Sequence, residues 1–99
     1  MRQDTAPLAL ARRLDAAAAS RLGAELLALR GQPVLVDAGE VELASGLAFE
    51  VLLSATRQWR LDGQPLEVGR ASAAFRAACT ALALDGELSW ADRSEGAAP

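Results

Sequence analysis

Histidine, tyrosine and lysine are absent from the 99 residues, and all ten basic side chains are arginines. Their absence removes Ser-His-Asp and Cys-His nucleophile systems, Schiff-base chemistry, histidine-containing metal sites and lysine-bearing phosphate loops. The single cysteine, Cys79, can form neither an internal disulfide nor a thiolate cage for a metal. No stretch approaches the ~18 to 20 uninterrupted apolar residues of a membrane span. The opening Met1-Arg2-Gln3-Asp4-Thr5 lacks the apolar run of a secretory signal, so a cytoplasmic location without membrane insertion is the expectation. Positive charge is scarce and scattered. The net charge is −3 and only Arg12 and Arg13 are adjacent, which argues against a nucleic-acid surface.

What remains is a folding composition. Hydrophobic residues make up 52% and charged residues 23%, enough for one core in one domain and against general disorder. Leu8 and Leu10 alternate with Ala9 and Ala11, which predicts an edge strand with Pro7 tolerated at its start. Asp15 is placed to cap a helix over 16–30, with Ala18, Ala19, Leu22, Leu26 and Leu29 on one face and Gly31 as its stop. Val34-Leu35-Val36 is too short an apolar run for a helix and predicts a central strand covered on both faces. Val41 and Leu43 mark a brief extended piece. Ser45-Gly46 opens a second helix running to Leu61, stopped by Asp62-Gly63. Pro65 to Val68 is a third strand. Ser72 caps a third helix in which Ala74, Phe75, Ala78 and Leu82 share a face. Strands alternating with helices predict an α/β fold, a small mixed or parallel sheet with helices packed on it. Residues 1–88 form the expected domain, and 89–99 a polar C-terminal tail that Trp90 anchors on the body.

Three features are candidates for function. Ser45 lies where an extended segment becomes a helix, with its hydroxyl near unpaired helix N–H groups; a phosphate there would be stabilised by those groups and by the helix dipole. An ordinary N-cap is the alternative role. On a helical wheel the second helix carries a core stripe of Leu47, Ala48, Val51, Leu52, Ala55 and Trp59, with Phe49 and Leu53 beyond it. That surplus makes Phe49 and Leu53 either a partner patch or residues covered by a neighbouring helix. The acidic Asp37, Glu40 and Glu42 do not match a calcium-loop spacing and are expected to face solvent. No catalytic residue, metal or cofactor follows from the inventory, and the chain is not expected to be an enzyme.

The order of these elements, with the motifs Leu14-Asp15-Ala16-Ala17-Ala18, Pro33-Val34-Leu35-Val36-Asp37-Ala38, Val41-Glu42-Leu43-Ala44-Ser45-Gly46-Leu47 and Ser72-Ala73-Ala74-Phe75, resembles the STAS domain, the fold of anti-sigma factor antagonists. The resemblance spans about residues 8–88. It implies a non-catalytic module in which Ser45 aligns with the serine that a partner kinase phosphorylates. Leu43 stands where the family has Asp, and Ala44 replaces the first Ser of its Asp-Ser-Ser-Gly-Leu hallmark. The resemblance places partner contact on Glu42, Leu43, Ala44, Ser45, Gly46, Phe49, Glu50 and Leu53. The implied partner is a kinase-type anti-sigma factor or another signalling protein. The alternative is a constitutive subunit of a transporter ATPase, or a chemotaxis-associated protein, without phosphorylation. A homodimer through the same surface is also compatible. The N-terminus is short for the family, which implies one clear strand there or two very short ones.

Overall fold

Three side chains placed just ahead of helical periodicity set the helix starts. Asp15 accepts from the Ala18 N–H at 2.9 Å, Ser45 from Ala48 at 3.2 Å and Ser72 from Phe75 at 3.1 Å. The computed structural model describes residues 4–91. Its elements are β1 (Ala6–Ala9), β2 (Arg13–Leu14), α1 (Ala16–Ala28), β3 (Val34–Asp37), β4 (Leu43–Ala44), α2 (Gly46–Leu61), β5 (Leu66–Gly69) and α3 (Ala73–Ala81). Gly31 and Gly63, at φ 93° and 71°, take the left-handed conformation that lets the chain leave α1 and α2. The N-terminal segment holds two short strands, the second just two residues long.

β1, β3 and β5 form one parallel sheet in the order β1-β3-β5, with Leu8, Val36 and Val68 in register. β2 and β4 form a separate parallel pair. Right-handed crossovers that always step in the same direction put their helices on the same face of the sheet. Val34, Val36, Leu66 and Val68 on that face are buried against α1 and α2. The opposite face is not covered as expected: Leu35, midway along the central strand, is 39% exposed. The fold is a small α/β domain with its helices on a parallel sheet, as the element order predicts.

Contacts remote in sequence close the structure. Trp59 is buried in α2, and its indole N–H donates to the Gln32 carbonyl at 2.8 Å, pinning α2 to the turn before β3. Residues 89–91, the start of the expected tail, run beside β5: Val68 N–H donates to Ser89 O and Ala91 N–H to Val68 O, at 2.8 and 2.9 Å. The rest of the expected tail, 92–99, lies outside the described residues.

Arg30, past the end of α1, forks onto Asp62 at the end of α2 with bonds of 3.0 and 3.3 Å, and Gln58 adds a third at 3.0 Å. Hydrogen bonds from Arg30, then from Gln58, outweigh desolvation and hold the Asp62 carboxyl below the usual carboxylate range. A depressed folded pKa makes this contribution full above the ordinary value, and it is lost as pH falls through the lowered one. The wild-type chain is therefore expected to have a higher urea midpoint than Asp62→Asn at neutral pH. The two should converge under strong acid. Equal midpoints at neutral pH would show that the pair adds no stability.

Candidate functional site

The segment leading to Ser45 is held from the side by the N-terminal strands. The Glu42 and Leu43 N–H groups both donate to Arg12 O, at 2.7 and 3.1 Å, and Ser45 N–H donates to Leu14 O at 3.0 Å. From below, Ser72 donates its hydroxyl to Val41 O at 2.6 Å while capping α3. These ties fix a short extended run, Glu42 to Ser45, at the surface where α2 begins. Glu42, Gly46 and Glu50 are exposed, Ala44 and Ser45 are half-buried, and Leu43 and Leu47 are 47% and 46% exposed.

The wheel is correct in the width of its apolar arc and wrong in where that arc points. Phe49 is 1% exposed and belongs to the core, so it is not a surface residue. Its ring lies 5.1 Å from that of Phe75, because α3 packs over this flank of α2. Leu47, assigned to the core stripe, faces solvent instead. Thr56 is buried in its place on the rotated face, with its hydroxyl donating to Leu52 O at 2.8 Å. Leu53 is half-buried.

Phe49 still contributes, as a floor. A shallow depression of about 250 Å³ is lined by Gly46, Phe49, Glu50 and Leu53 of α2 and by Leu82 and Leu84 from the turn after α3. Sequence reasoning missed both leucines of that turn. Leu82 was expected on the buried face of α3, yet it caps the helix and is 47% exposed. A Cβ added at Gly46 would meet nothing within 4 Å, and Gly46 has no left-handed φ, so the domain's own packing does not demand glycine there. A second groove, about 300 Å³, lies between α1 and α2 beside Leu27, Val51 and Trp59.

The acidic stretch is dispersed rather than convergent. Asp37 accepts from the Gly39 N–H at 2.9 Å and meets Arg70 at 3.4 Å, while Glu40 meets Arg12 at 3.7 Å. Cys79 is buried, and burial first, then the nearby Asp85, pushes its thiol pKa up against the pull of Arg76. A thiol held protonated in this way is a core residue rather than a nucleophile.

The arrangement offers exposed apolar side chains around a capped helix start. The family model described as "Mlab, STAS domain" matches residues 1–91. The chain belongs to the STAS domain family. STAS domains mediate protein–protein interactions and are generally non-enzymatic. No curated protein matches it. Among the described residues of this STAS domain, no helix is long and apolar enough to cross a membrane.

Proposed function

We propose that this STAS domain works as an anti-sigma factor antagonist-like module, docking a kinase-type anti-sigma factor or another signalling protein. The contact uses Glu42, Leu43, Ala44, Ser45, Gly46, Glu50 and Leu53, with Phe49 as the buried support beneath them. One observation carries the reading. Ser45 is half-buried at the first turn of α2, between two leucines, Leu43 and Leu47, that the domain leaves nearly half exposed. Apolar side chains around a helix start are the kind of surface a protein partner covers.

Ser45 is the candidate switch. A phosphate on its hydroxyl would gain from the α2 dipole and from the first-turn N–H groups, and would lose the cap bond to Ala48. It would also bring charge between the exposed carboxylates of Glu42 and Glu50. Charge at this point changes the surface the partner meets more than it changes the fold. Ser45→Glu is expected to weaken partner binding at least about fivefold, or about 1 kcal/mol. The domain should remain folded by circular dichroism. Full-strength binding of that variant in a calorimetric titration would refute the docking role.

A constitutive, unphosphorylated subunit of a transporter ATPase, or a chemotaxis-associated STAS protein, is the second reading. Leu43 favours it, since an exposed leucine stands where the family pattern has the acidic neighbour of its target serine. Mass spectrometry after incubation with the kinase-type partner separates the two. Phosphate on Ser45 supports the switch, and an unmodified Ser45 supports the constitutive subunit.

A further inference from the structure

Helix α2 exposes one continuous stripe, Gly46, Leu47, Glu50, Ser54, Arg57 and Leu61, with Arg60 exposed and Leu53 half-buried at its edge. Leu61 is 82% exposed, more than any other large apolar side chain of the described residues. Glu50 and Arg57 take part in none of the ion pairs found among the described residues. They lie two helical turns apart on the same face, about 10 Å along the axis. Among the described residues, then, a negative group, a positive group and a leucine on one helix face have no ion-pair or packing partner in the domain.

The order of these groups is self-complementary. Glu50 and Arg57 are equidistant from the midpoint between Leu53 and Ser54, and Gly46 and Leu61 are equidistant from it too. A second α2 laid antiparallel across that midpoint faces each Glu50 with an Arg57 and each Leu61 with a Gly46. Beside Gly46 lies the depression of about 250 Å³ edged by Leu53, Leu82 and Leu84 over the Phe49 ring. The space that a side chain at position 46 would occupy is empty to 4 Å. An isologous two-fold contact needs this pattern, in which one patch serves as both halves of the interface.

We infer that the chain forms a two-fold homodimer through antiparallel contact of α2 with its copy, in which Leu61 of each chain fills the depression at Gly46 of the other. Glu50 pairs with Arg57 of the second copy on both sides of the axis. The small side chain of Ser54 lies near the axis, where two helices approach to about 8–10 Å. The dimer covers Gly46, Glu50 and Leu53, so self-association competes with the docking proposed above. The inference shares that surface but does not depend on its partner, because its test reads the chain alone.

Sedimentation equilibrium of the full chain, from about 1 µM to about 500 µM, measures the dimer constant directly. The wild-type chain is expected to move from monomer to dimer across that range. Glu50→Arg and Arg57→Glu, each alone, set like charges against each other twice and should raise the dissociation constant at least about 30-fold. The two together in one chain remake both pairs in reverse and should return it to within about threefold of wild type. Leu61→Asp replaces an exposed side chain, so it should keep the thermal melt and lose the dimer. A wild-type chain that stays monomeric, a double swap that fails to restore association, or a Leu61→Asp chain that dimerises like wild type would each overturn the inference. Binding of a different protein across Glu50 and Arg57 by a chain that remains monomeric would do so as well.

Discussion

Phe49→Ala is expected to lower unfolding stability by about 3–5 kcal/mol, read from urea denaturation, because it empties a core site. The ring is 1% exposed and packs at 5.1 Å against Phe75, with a 40° tilt between the planes. Phe75 in turn meets the Trp90 ring edge-on at 6.2 Å. Removing Phe49 therefore takes the first member from an aromatic row that joins α2 to α3 and to the segment beside β5. Small domains hold only about 5–15 kcal/mol in all, so the variant should sit close to its unfolding threshold. Had Phe49 been a docking residue on the surface, one of the two roles its place on the wheel allowed, the same substitution would weaken partner binding and leave the melt unchanged. Leu53→Ala offers the contrast within the helix. Its side chain is half-buried at the depression, and truncating it should cost less stability than the core ring. A Phe49→Ala chain with a wild-type urea midpoint would contradict the core assignment.

The success and failure of the wheel at this helix show what a linear reading can reach. Helix starts were legible because Asp15, Ser45 and Ser72 act within three residues of themselves, through hydrogen bonds to the following turn. The alternation of strands and helices was legible from local periodicity. The direction of a broad apolar arc was not. Leu47 and Phe49 flank the arc with similar hydropathy, and which of them is buried depends on where α3 docks. That position follows from the path of the chain after β5, which no window around α2 contains. Leu35 teaches the same lesson in the sheet. Val34-Leu35-Val36 reads as a run buried on both faces, but helices laid on one face leave the middle residue out. The ion pairs Arg30–Asp62 and Arg70–Asp37 and the lining leucines Leu82 and Leu84 likewise come together only through the fold. At the candidate site, then, the location was legible from Ser45 and its neighbours, while its apolar wall was not.

Ending the chain after Leu88 is expected to cost about 2–4 kcal/mol relative to ending it after Ala91, with Trp90 the main loss. The indole N–H donates to Asp85 O at 2.8 Å, and the Arg76 guanidinium lies 4.2 Å from the ring centroid. The backbone on either side of Trp90 extends the sheet, since Ser89 O accepts from Val68 and Ala91 N–H donates back to it. Without these residues Val68 loses both partners on its outer side, and the covered edge of β5 becomes a bare one. Trp90→Ala in the full chain separates the two contributions. It removes the ring and its edge-on contact with Phe75 but keeps the strand pairing, so its midpoint should fall between those of the two truncations. Because Phe75 supports Phe49 and Phe49 floors the depression at Gly46, the shortened chain should also lose surface order at the start of α2. Amide hydrogen exchange at Ala48 and Phe49 measures that link. Faster exchange there in the chain ending at Leu88, beyond the change expected from its lower global stability, would tie the last described residues to the docking surface. Identical midpoints for the two truncations would reduce Trp90 to a surface ornament of β5 with no part in holding the aromatic row together.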